Sequence, residues 1–223
     1  MKIVYRIGAA VLALCVFPAA LFLPILQYAV SAVITNIGDS VTLHYLYTRF
    51  TDESSPLHGL FDGSGGDFFE KEAVKRLVPA GVSFLVFFAL ALLLAVAVFV
   101  VAAVSYKRLA VIILSAAGIL SIIGSYVAFG KFAAPLLSGE LSVLDFFDIK
   151  DAGTLLGIVI SFAGSAIKVE QFTLASAPLI MGVVFAVIIV WSGAFLLTED
   201  PAEKRAAGKP KTGKKHRRNT TAR

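Results

Sequence analysis

Asp145, Asp148 and Asp151 recur at every third residue, the closest this chain comes to a cluster that could hold a hard cation. Carboxylate oxygens suit calcium or magnesium, but such ions need several ligands converging around a turn. On a helix a three-residue repeat drifts by about 60° per step, so these acids form a row. They read as a solvated acidic face. Asp62 and Asp67, in the Gly-rich stretch 59–67, lack the acidic density of a calcium loop. His44 and His58 lie fourteen residues apart with no Cys, His or acid at ligand spacing, whereas zinc takes three or four ligands. No metal site and no cofactor is expected.

Nucleophilic chemistry fares no better. The outer Ser and Asp residues form no nucleophile elbow, and no sequence pattern places a His as their base. Cys15 is the only cysteine, so no internal disulfide can form. It falls within an apolar run, where a thiol is usually a small inert hydrophobe. Two tail sequences imitate sites. Gly208-Lys-Pro-Lys-Thr-Gly-Lys-Lys215 has the glycines and lysine of a phosphate loop but ends in Lys215 rather than Ser or Thr, and no strand or helix flanks it. Asn219-Thr-Thr221 matches a glycosylation sequon, on a segment assigned below to the cytoplasm.

The elements that would position any site are membrane spans. Four stretches carry no charge: Ile7–Gly38, Leu77–Tyr106, Leu109–Gly130 and Gln171–Thr198. A helical crossing needs about 20 mainly apolar residues, and each stretch supplies that. The chain is 58% hydrophobic and only 16% charged, against about 25% charged in a soluble domain. Spans over about 7–34, 77–105, 109–130 and 174–197 are expected. The outer loops are then 39–76 and 131–170, and 199–223 is a tail. The basic start, Met1 to Arg6, resembles a secretory signal, but the apolar run after it exceeds a signal core of about 7–15 residues. It is read as a retained first helix.

Charge sidedness sets the orientation. With four crossings, the N-terminus, Lys107-Arg108 and the tail share one side with a net charge of +10, and the two outer loops total −5. Basic residues stay inside, so both termini are expected in the cytoplasm, and the plasma membrane is the expected compartment. The rival is a fifth crossing by 152–167. Its 16 residues reach about 24 Å, short of the ~30 Å hydrocarbon core, and it would carry the basic tail outside.

Within this frame several segments have recognisable roles. Pro18 and Pro24 should bend helix 1. Gln27, read as part of that helix, should bridge to a neighbour. Residues 39–50 are rich in β-branched and aromatic types, with Val41, Leu43, Tyr45 and Tyr47 alternating. That predicts an extended segment, which must pair with something because a lone strand is unstable. Asp67 can cap a helix leading into span 2, with a bend at Pro79. Ala117, Ser121 and Ser125 place small residues at four-residue spacing on helix 3, the best candidate for close helix packing. Gly153, Gly157, Ser161 and Ser165 make a similar ridge in the second outer loop. That segment is too short to span and too apolar for water, so it lies in the interface or re-enters the membrane.

Four spans with an extended segment in the first outer loop resemble the claudin arrangement in outline. The tryptophan and paired cysteines of that family are absent from 39–76, and the one tryptophan, Trp191, is in the fourth span. The tetraspanin cysteine motif is missing as well, and no family is assigned.

The expectation is an all-α four-helix transmembrane bundle, residues 1–198, with a small outer cap, followed by a disordered basic tail. Function is expected through association rather than catalysis. Tyr45, Tyr47, Phe61, Phe68 and Phe69 offer aromatic contact area to a membrane-protein partner or a second copy. Lys209, Lys211, Lys214, Lys215, Arg217 and Arg218 can meet lipid headgroups or an acidic partner. Nucleic acid is disfavoured because the tail has no aromatic residue for base stacking. The alternatives are a channel or transporter component with 153–165 re-entrant, and a membrane-embedded enzyme acting on lipid or envelope substrates.

Overall fold

A computed structural model describes residues 2–31, 36–52, 72–141 and 168–198. Among these described residues, five helices and three strands follow in the order α1 (Lys2–Phe22), β1 (Pro24–Ser31), β2 (Asn36–Thr42), α2 (Leu43–Thr51), α3 (Glu72–Val104), α4 (Arg108–Leu137), β3 (Lys168–Leu174) and α5 (Ser176–Leu197). The described part is mostly helical. Four helices, α1, α3, α4 and α5, are long and apolar enough to cross a bilayer, which marks an integral membrane protein.

The four pack in a ring in which α1 touches α3 and α5, and α4 closes the circuit between them. Buried residues recur at alternating spacings of three and four: Phe88, Ala91, Ala95, Val98 and Ala102 on α3, for example. This is the seam expected of near-antiparallel helices packed ridge into groove. Lipid gives no hydrophobic drive for helix association, so the contacts rely on close packing, with small residues facing large ones. A Cβ added at Gly118 would lie 2.7 Å from the Phe185 ring, one at Gly124 would lie 2.8 Å from Phe87, and one at Gly8 would lie 2.6 Å from Trp191. Each glycine is a socket for one aromatic ring.

Helix 1 departs from expectation. It ends at Phe22, and Pro24 opens a strand where the sequence reading carried the helix to about residue 34. Proline cannot donate to a ladder, but the first residue of a strand tolerates it. Gln27 is therefore an exposed strand residue and not a bridge between helices. At 21 residues, α1 still reaches about 31 Å, enough for the ~30 Å core. Pro18 is accommodated inside it.

β1 is the centre of an antiparallel sheet ordered β2-β1-β3. The all-α expectation holds for the membrane bundle and gives way to this sheet in the cap. The register places Leu26 beside Leu174 and Val41, and Tyr28 beside Phe172 and Asp39. Gln27, Thr173 and Ser40 share the other face, with Ala29, Gln171 and Gly38. The Leu26–Leu174 face turns to the bundle, where both leucines meet the main core. Phe172 packs on Phe129 and Phe132 of α4, with ring centroids 5.1 and 5.9 Å apart. The partner that the extended segment needed is thus the chain following α1.

Extended structure does not persist through residue 50. The Thr42 hydroxyl accepts from the backbone N–H of Tyr45 at 3.0 Å and caps a short helix, α2. The strand signal holds through Thr42 and fails beyond it. Helices α3 and α4, with 33 and 30 residues, reach about 50 and 45 Å. They overrun the bilayer, and the surplus on the cap side is the wall on which the sheet rests. Gly139, at φ 76°, turns the chain after α4 in a left-handed conformation that suits glycine.

Candidate functional site

The two ends of the bundle differ in chemistry. At the end away from the sheet, α1 and α4 begin while α3 and α5 finish. The last carbonyls of a helix lack intrahelical donors and carry partial negative charge. Arg6 of α1 meets that need for α3, donating from Nε to the Ala102 carbonyl at 3.3 Å and from a second nitrogen to the Ala103 carbonyl. Arg108 of α4 does the same for α5, donating to the Phe195 carbonyl. Each arginine therefore ties the start of one helix to the finish of another. Arg108 is buried. Its guanidinium stacks 4.1 Å from the centroid of the Tyr106 ring and 5.7 Å from that of Tyr5, and the flat cation suits an aromatic face.

Tyr5 is fully buried at the centre of this end. Its hydroxyl pairs with the Ser192 hydroxyl at 3.3 Å, and its carbonyl accepts from the Trp191 indole at 3.4 Å. Tyr106 and Phe195 flank its ring at 5.4 and 5.5 Å. Sequence reading used Arg6 and Arg108 only as topological charges and missed the cluster. The available signal was the placement of both arginines within two residues of a tyrosine at a span boundary. The arrangement is a clamp between helix ends.

At the sheet end, Tyr45 and Tyr47 lie on α2 and are both exposed, Tyr47 at 66%. The neighbouring His44 ring is tilted against Phe22, 6.2 Å between centroids, and Leu43 packs on the core. His44 is held by that ring contact and meets no metal partner among the described residues. Asp39 accepts from the backbone of Ser40 at 2.7 Å. Ser121 and Ser125 of the expected small-residue row are buried on α4, and Ser125 donates to the Ser121 carbonyl at 3.0 Å. Ala117 is only half-buried; Gly118 is the member of that face that seats the Phe185 ring. Cys15 is exposed on the bundle's outer surface, not enclosed.

The remaining sequence candidates lie outside the described residues. They are Phe61, Phe68 and Phe69, the acids Asp62, Asp67, Asp145, Asp148 and Asp151, His58, the ridge Gly153, Gly157, Ser161 and Ser165, and the six tail bases. Comparison finds no matching family model, no matching curated protein and no matching solved structure.

Proposed function

We propose that this is a non-enzymatic multi-pass membrane protein that acts by association, with the sheet-bearing cap as its contact surface. The observation that carries the reading is the exposure of Tyr45 and Tyr47 on a short helix whose own position is fixed. Thr42 caps it, Leu43 anchors it to the core and Phe22 backs its first turn. Rigid, exposed aromatic side chains give contact area at small entropic cost, and tyrosine is over-represented among residues that dominate binding. The partner is a membrane protein or a second copy of this chain. On charge sidedness the cap faces outward, both termini face the cytoplasm and the plasma membrane is the compartment. The basic tail then lies against anionic headgroups, each base gaining about 1 kcal/mol.

The test is in-cell crosslinking and mild-detergent co-purification with wild type and Tyr45→Ala/Tyr47→Ala. Loss of a dominant tyrosine costs about 2 kcal/mol, so about thirtyfold weaker retention of the partner is expected for a variant with unaltered thermal stability. Full retention by the double variant would remove the cap helix from the interface.

A further inference from the structure

An open groove runs between α3 and α4 near the sheet end, lined by Arg76, Pro79, Ser83, Phe87, Val127 and Lys131 among others. Its depth in the membrane follows from the helices. Counting from Arg108 at the opposite end, a ~30 Å core ends near Ala128 on α4 at 1.5 Å per residue. Lys131 therefore stands just beyond the hydrocarbon boundary, at headgroup level. The Gly124–Phe87 contact fixes the register of the two helices, which sets Ser83 one turn above Phe87 and Arg76 higher still. Below this level the walls are apolar, with Phe87 and Val127 open to the outside of the bundle.

Charge follows the same division. Arg76 bridges Glu72 at 3.9 Å, in a pair that is mostly solvent-exposed, so its cation is little neutralised. Among the described residues no carboxylate lies within ion-pairing distance of Lys131. Two cations thus stand at phosphate height above a trough of acyl-chain character, while the Ser83 hydroxyl donates to the Pro79 carbonyl at 2.7 Å within its own helix. Long basic side chains at a membrane boundary keep their stems in the apolar zone and their heads among the headgroups.

We propose that this groove holds an anionic phospholipid of the leaflet on the sheet side, its phosphate and headgroup against Lys131 and Arg76 and one acyl chain along Phe87 and Val127. The proposal rests on the membrane-spanning bundle and is independent of the cap's role in association. Its test uses the full chain in nanodiscs of equal phosphatidylglycerol and phosphatidylcholine, released into native mass spectrometry. Wild type should retain phosphatidylglycerol by about thirtyfold over phosphatidylcholine, the preference expected of two bases near anionic headgroups. Arg76→Gln/Lys131→Gln should bring that ratio near unity, while Lys75→Gln, outside the groove lining, leaves it unchanged. Val127→Trp, at an exposed position, should lower retention of both lipids by filling the trough. Equal retention of the two lipids by wild type, or a preference that survives the double substitution, overturns the proposal. So does a Ser83→Cys thiol that stays protected from maleimide after delipidation, which would show the chain's own segment in the groove.

Discussion

Replacing Arg108 by Gln removes the charged donor at the finish of α5, where the Thr198 hydroxyl still donates to the same Phe195 carbonyl at 3.3 Å, and the cation stacked on Tyr106. A hydrogen bond from a charged donor contributes about 1.5–3 kcal/mol, and a desolvated cation over an aromatic ring contributes about 0.5–2 kcal/mol. These terms share one side chain and do not add fully, so a loss of about 2–4 kcal/mol is expected. Trp191, the only tryptophan, packs at a tilt against Phe195, ring centroids 5.0 Å apart, beside the lost bond. Its fluorescence therefore reports the site directly. Unfolding by sodium dodecyl sulfate in dodecylmaltoside micelles, followed at Trp191, gives the difference in stability. Arg108→Lys is the informative companion. It retains the charge that a helix C-terminus favours, worth about 0.3–1 kcal/mol, but loses the planar fork and the stacking face. Lysine should restore less than half of the loss. Lys107 remains in both variants, so the hairpin keeps a base for orientation. A Lys variant equal to wild type would show that Arg108 acts only as a charge and would refute the clamp. Arg108→Gln within about 0.5 kcal/mol of wild type, the range of ordinary surface changes, would refute it as well.

Two further outcomes follow from the packing. Gly118→Ala places a methyl 2.7 Å from the Phe185 ring edge; overpacking of this kind costs about 1–3 kcal/mol, and Phe185→Leu in the same chain should recover most of it in the same unfolding assay. Phe172→Ala removes the ring that docks the sheet on Phe129 and Phe132, a loss of about 2–4 kcal/mol for a partly buried aromatic, which should appear as faster proteolysis of the cap while unfolding reported by Trp191 keeps its midpoint.

The spans were legible because a bilayer imposes one rule, about 20 apolar residues without charge, and the segments after residue 77 obey it. The rule also explains what was misread. Ile7–Gly38 has no charge, so a hydropathy reading carries helix 1 straight through Pro24. Yet Leu26, Tyr28 and Val30 alternate with Gln27, Ala29 and Ser31, a period of two that marks a strand with one buried face. The same alternation in Lys168–Leu174 was absorbed into the approach to the fourth span. Around Thr42 the error reversed. Alternating aromatics suggested continued strand, while the signal that decides the local structure is a single threonine able to cap the next turn. Ser121 and Ser125, placed on one helix row by their spacing, are buried on α4. The socket at Gly118 depends on where Phe185 falls on another helix, which no local pattern contains.

The sheet and the arginine clamp solve one problem at opposite ends. Helices in lipid gain little from burying apolar surface against one another, so their arrangement must be held by shape and by polar groups with no better partner. Along the bundle, glycine sockets for Trp191, Phe185 and Phe87 supply the shape. At one end, two arginines each tie the start of one span to the finish of the next, α1 to α3 and α4 to α5. At the other, β1 and β3 continue α1 and α5, so backbone pairing between the strands joins the remaining neighbours, and Ala175 donates to the Ile25 carbonyl at 2.8 Å where the strands meet the helices. The α3–α4 hairpin needs no such strand, because its overrun supplies Phe129 and Phe132 as the sheet's seat. α1 thus has no neighbour in the ring to which it is not tied at one end or the other. A helix so constrained cannot rotate or slide alone, and the cap helix that leans on Phe22 inherits its fixed position from that.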